Sequence, residues 1–125
     1  MSIEAIIDRY CQAWSDPEPA VRAAALADVW AKDARYTDPR ADTYGAEALL
    51  EHIADVLAQR PGARVLRTSA VQQHHGFARF AWRVIDADGT RLPEGLDIAM
   101  IGTDGRITQI VGFFGPLPAD MSAAG

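Results

Sequence analysis

Apolar residues recur at helical spacing in three stretches of the first half of the chain, then alternate with polar ones through the second half. Ile3, Ile6, Ile7, Tyr10, Cys11 and Trp14 make one stripe, which predicts an amphipathic helix over residues ~3–14. Ser15-Asp16-Pro17-Glu18-Pro19 breaks it and starts another, since proline is tolerated in a first helical turn. Val21, Ala25, Leu26, Val29 and Trp30 give that second helix its buried face. Ala34 to Asp38 alternates as a short strand until Pro39 ends it, and a polar loop, Arg40 to Tyr44, follows. A third helix begins after Gly45, carries Leu49, Leu50, Ile53, Val56 and Leu57 in its stripe, and stops at Pro61-Gly62.

From there the pattern predicts consecutive strands: Val65 to His75, Phe77 to Ala87, Arg91 to Thr103 and Arg106 to Phe114. Asp88-Gly89 and Asp104-Gly105 are turn signals between them. Helices first and a meander afterwards is an α+β arrangement, three N-terminal helices packed on one face of an antiparallel sheet. No repeat or composition shift divides the chain, so residues 1–125 read as one domain, with a frayed tail after Pro116. A two-residue turn at Asp104-Gly105 places Asp97 opposite Gly112 and Ala99 opposite Ile110. One hairpin face is then Asp97, Ala99, Ile101, Thr108, Ile110, Gly112 and Phe114. The other is Leu96, Ile98, Met100, Gln109, Val111 and Phe113, also apolar. Helices cover only one side of a sheet, so the second apolar side calls for a partner, and a homodimer is expected.

Charge and cysteine content narrow the classes. The 125 residues carry a net charge of −5 without a Lys/Arg cluster, which argues against a nucleic-acid surface. No stretch approaches a membrane span and the N-terminus has no signal-peptide character, so a cytoplasmic location is expected. Cys11, the only cysteine, falls on the first helical stripe and reads as a buried thiol. His74-His75 ends a strand at a glycine without metal-ligand spacing, so no metal is expected.

Three side chains stand out against this frame. Asp97 lies on an apolar strand face, where a carboxyl must be hydrogen-bonded, stay protonated or do chemistry. Desolvation there is expected to raise its pKa well above ~3.9. Asp38 ends a strand before Pro39, read as an exposed position without a packing role. Tyr10 sits inside the first apolar stripe, as a core tyrosine or a hydrogen-bond donor. His52 neighbours Leu49, Ile53 and Val56 and could project from the helical layer. Arg79, Trp82 and Arg83 share a strand, but Pro93-Glu94 can bulge the next one, which leaves their facing open.

The element order and these residues together resemble the NTF2-like, or SnoaL-like, cone-shaped α+β family, and within it bacterial ketosteroid isomerase. Arg9-Tyr10 resembles the helix-one Arg-Tyr whose tyrosine is an oxyanion-hole donor, and Thr37-Asp38-Pro39 resembles the general-base segment. Gly105-Arg106-Ile107 matches the last turn, and counting back from it brings Asp97 onto the protonated aspartic acid of the oxyanion hole. The resemblance places Phe114 at a large pocket aromatic, His52 near an aromatic pocket position, and Trp30 and Ile53 where the isomerase has supporting tyrosines; Ile110 joins these as a pocket residue. It implies a cofactor-free proton transfer α to a carbonyl of a small apolar ligand, of the isomerase or cyclase type. Asp38 would then be the base, with Tyr10 and Asp97 as hydrogen-bond donors. Two alternatives remain at this stage: epoxide-hydrolase-like water activation in the same pocket, and a non-catalytic binding or dimerisation module.

Overall fold

Ser2 starts the first helix by accepting the Ala5 N–H on its hydroxyl at 3.1 Å. In the computed structural model, which describes residues 1–120, this helix, α1, spans Ile3–Ala13 and buries Ile6, Ile7, Tyr10 and Cys11. Helix α2, Pro19–Val29, opens on the proline expected at its first position. Its buried face differs from the predicted stripe. Val21 is exposed and Arg22 is buried, because the guanidinium donates to the otherwise orphaned carbonyls of Asp16 (2.9 Å) and Pro17 (3.1 Å). Trp30 is the first residue of strand β1, Trp30–Asp38, rather than the last of the helix stripe; its backbone is already extended.

The predicted loop after Pro39 contains a strand, β2 (Ala41–Tyr44), which pairs antiparallel with the end of β1. An Arg35–Asp42 ion pair at 2.8 Å and Arg35 over the Tyr44 ring line this exposed edge, which is why its sequence looks like loop. Helix α3 spans Ala46–Gln59 as expected, with Leu49 and Ile53 fully buried. The predicted strand over 65–75 is two: β3 (Arg64–Arg67) and β4 (Gln72–His74), both antiparallel to β5 (Phe77–Ile85). Ser69 fills the break, its hydroxyl accepting the Ala81 N–H at 2.8 Å. Strand β6 is only Gly95–Ile101, because Pro93-Glu94 interrupts the ladder and leaves Arg91 in an isolated bridge to Ile85.

Strand β7, Ile107–Phe113, returns beside β6 and then lies parallel to β1, so the sheet is mixed rather than a pure antiparallel meander. Its order is β2-β1-β7-β6-β5-β3, curved and unclosed, an α+β fold with three helices. Asp97 does face Gly112 and Ala99 does face Ile110. The turn that achieves this is not the two-residue one: Gly102 and Arg106 close a three-residue loop with Gly105 left-handed, and a bulge before Gln109 restores the register. Thr108 is thereby expelled to the exterior and Ile107 takes its core position.

Candidate active site

Strand alternation puts Asp38, Gly112, Asp97 and Phe80 in one row across four strands, all facing the helices. Asp97 is 5% exposed, beside the fully buried Ala99 and Ile110. Its Oδ1 accepts the Trp82 indole N–H at 2.8 Å. Two glycines make this possible. A Cβ at Gly95 would overlap the Trp82 ring, and one at Gly112 would stand 2.8 Å from Asp97 Oδ1 and 3.6 Å from Asp38 Cβ. The space at Gly112 is thus taken by the Asp97 carboxyl. Burial pushes that carboxyl up to about 7; the Trp82 hydrogen bond acts downward and the Asp38 charge upward. With Oδ1 engaged by a donor, Oδ2 is the oxygen left to carry the proton.

Asp38 is not the exposed strand-end residue its position suggests, for its side chain is only 4% exposed. Oδ2 accepts the Tyr36 hydroxyl, and Oδ1 accepts the Arg40 backbone N–H at 2.7 Å in the turn before β2. His52 on α3 brings Nε2 to 3.9 Å from Oδ2. Its ring lies edge-on to Trp14 and tilted against Tyr36. Burial, followed by the Asp38 hydrogen bond and charge, pushes the Tyr36 hydroxyl far up, so it is a fixed donor. Tyr10 is 2% exposed, its hydroxyl pushed well up by burial and then by Asp97, with a Trp14 hydrogen bond opposing.

These groups share a cavity of about 400 Å³ between the helices and the sheet. Tyr10, Asp38, Asp97, His52 and Phe114 all line it, so the sequence-predicted acid–base residues stand around one space. Trp30, Ile53 and Ile110, also expected to touch a ligand, do not line it; each is buried in the core behind the wall. Trp30 stacks on Tyr10 at 5.8 Å and 11°, and its indole N–H has no hydrogen-bond partner among the described residues. Cys11 lines the cavity as a thiol that burial pushes up to about 12, so it stays protonated. Val56, Leu57, Val65, Val84 and Leu92 make the rest largely apolar, with Arg40, Arg60 and Phe114 as further lining groups.

Sequence reasoning missed Tyr36 and Arg40 as members of the site and left the facing of Trp82 open. Tyr36 was findable, since it precedes Asp38 by two on one strand and shares its face. Trp82 was not, because its register against Asp97 depends on the interruption at Pro93-Glu94. Arg79 and Arg83 face away from the cavity, bonded to Gln72 and to the Leu92 carbonyl. No group of three His, Cys, Asp or Glu side chains suited to a metal occurs among the described residues.

A cone of three helices on a curved sheet, enclosing an apolar pocket lined by two carboxyls, defines the NTF2-like class of fold. The SnoaL-like domain model matches residues 7–110, and the chain belongs to that family. The structure is similar to that of a candidate isomerase of the SnoaL-like family from Agrobacterium tumefaciens, at 31% identity and a TM-score of 0.83, covering 89% of this chain and 95% of that one. At 20% identity and a TM-score of 0.68, it is similar in fold to a candidate polyketide cyclase from Sinorhizobium meliloti, covering 86% and 92% of the two chains. A protein with a ketosteroid isomerase-like fold from Catenulispora acidiphila, in complex with trimethylamine, is similar in fold at 16% identity and a TM-score of 0.71, with 92% and 88% covered. No curated protein matches the sequence.

Proposed function

We propose that this protein is an isomerase- or cyclase-type enzyme that moves a proton α to a carbonyl of an apolar ligand. One observation carries the reading: two carboxyls, Asp38 and Asp97, the second pushed by burial up to about 7, flank Gly112 on the wall of one apolar cavity. Their α-carbons lie roughly 10 Å apart, at two strand spacings. Both residues line the one cavity, which has room for a carbonyl compound against them. Asp38 has lone pairs to spare beyond those used by Tyr36 and Arg40, and takes the α-proton as the C–H electrons move into the enolate. Asp97, protonated on Oδ2, and Tyr10 donate to the developing enolate oxygen, and Asp38 returns the proton at the end of the conjugated system. A positioned general base is worth about 10²–10⁴ in rate, and each donor about 10²–10³. The candidate isomerase and candidate cyclase among the similar structures support this class of chemistry.

The test is a turnover screen of 3-keto-5-ene steroids, other enolisable ketones and small epoxides, repeated with Asp38→Asn. Turnover of a ketone is expected to fall by 10²-fold or more in the variant. The asparagine oxygen still accepts the Arg40 N–H, so folding is expected to cost about 1–2 kcal/mol, not several. Turnover retained in Asp38→Asn, or hydrolysis of the epoxides alone, overturns the proposal.

A further inference from the structure

Arg40 is a cation on the wall of an otherwise largely apolar cavity, and no described residue pairs with its guanidinium. Its guanidinium lies over the Phe114 ring at 5.9 Å and makes no hydrogen bond or ion pair with any described residue. This contrasts with Arg60, the other arginine lining the cavity, whose guanidinium is held by both carboxylate oxygens of Asp86 at 2.9 Å. It also runs against the composition: 17 acidic residues face 12 basic ones, yet no described carboxylate pairs with this guanidinium, and what Asp38 accepts from Arg40 is only the backbone N–H. The backbone of Arg40 is fixed meanwhile, because its N–H donates to Asp38 Oδ1 and it sits at the β1–β2 turn. The guanidinium is exposed and so lies where the cavity meets solvent, with a planar array of N–H donors suited to a carboxylate.

We infer that the cavity takes an apolar ligand bearing a carboxylate, whose charged group sits at the mouth on Arg40 while its body lies against Trp14, Phe80 and Trp82. Electrostatics fixes the direction of entry. The interior carries Asp38, whose charge repels an anion, and Arg40 attracts one at the rim. A carboxylate therefore stays outside, and the uncharged end of the ligand is delivered to the interior carboxyls. This rests on the proposed function only in taking the cavity as the ligand site; it adds the ligand's charge and its orientation.

A matched pair of probes tests it without turnover: 2-naphthylacetate and its neutral amide, titrated while the Trp82 indole N–H resonance is followed by NMR. The acid is expected to bind at least tenfold more tightly than the amide. Arg40→Met, which keeps the stem over Phe114, is expected to abolish that preference without weakening the amide. Arg40→Lys should restore part of it. Equal affinities in the wild type, or a preference that survives Arg40→Met, overturn the inference. If neither probe moves the Trp82 resonance at millimolar concentration, the cavity is not a site for such ligands and the inference falls. No acid preference in the wild type while turnover is present sinks only the inference, whereas turnover surviving Asp38→Asn with the preference intact sinks only the proposed chemistry.

Discussion

Asp97 sets the pH behaviour of the molecule. Its carboxyl is buried among apolar side chains, and the ionised form is the one burial penalises, which is why it stands at about 7 against an ordinary 3.8. A group whose folded-state value is raised favours folding fully below its unfolded value and loses that contribution as pH rises through the folded one. The difference in stability between wild type and Asp97→Asn is therefore expected to change between about pH 4 and pH 7, by at most roughly 1.4 kcal/mol per pH unit. Denaturant unfolding across that range measures it, and a flat difference would place the Asp97 carboxyl in a solvated setting. Activity that needs the protonated acid should fall above pH 7 in the wild type and lose that limb in Asp97→Asn. Asp97→Leu removes the buried carboxyl but leaves the Trp82 indole N–H without its acceptor. That is expected to cost about 1–3 kcal/mol of stability below about pH 4. It should also cost activity by about 10²-fold, since the donor to the enolate is gone.

At the scale of elements, the β6–β7 hairpin works because one residue on β7 has no side chain. Gly112 sits between the two carboxyls, and a methyl group there meets Asp97 Oδ1 at 2.8 Å. In Gly112→Ala the carboxyl has to rotate, and the bond from Trp82 stretches or breaks. The Trp82 bond acts to lower the Asp97 value, so losing it should move the titration upward. Carboxyl NMR of Gly112→Ala and of Trp82→Phe is expected to give an Asp97 value above that of the wild type in both. An unchanged titration in Trp82→Phe would show that the indole does not hold the carboxyl.

At the scale of the whole molecule, the three helices cover only the concave side of the sheet. Leu96, Ile98 and Met100 are each 37% exposed on the other side, with Phe113 at 54% and Phe77 at 44%. A patch of this kind is rarely left to water. A second copy presenting the same face is the expected cover, a two-fold arrangement that closes on itself. Sedimentation at micromolar concentration should give a dimer, and Ile98→Asp together with Met100→Asp should give a monomer. A wild-type monomer would remove the dimer and leave this face to another partner. No described helix is long and apolar enough to cross a membrane.

The sequence by itself determined whatever depends on periodicity and short range. The three helices, the strand end at Asp38 and the pairing of Asp97 with Gly112 could all be read from spacing. So could Asp97 as a carboxyl out of place, because an acid among Ala99, Ile101 and Ile110 is anomalous wherever the sheet goes. Tertiary structure decided the rest. The parallel contact of β1 with β7 joins residues far apart in sequence, and alternation specifies a face, not a neighbour. Trp30, Ile53 and Ile110 carry the same apolar signal as lining residues, yet lie behind the wall, since depth within a core leaves no trace in periodicity. Asp38 reads as exposed from its place before proline, and is buried only because Tyr36 and His52 close over it from strand and helix. The Trp82 bond to Asp97 depends on a register set by the break at Pro93-Glu94, a geometric outcome of the whole sheet rather than of either residue.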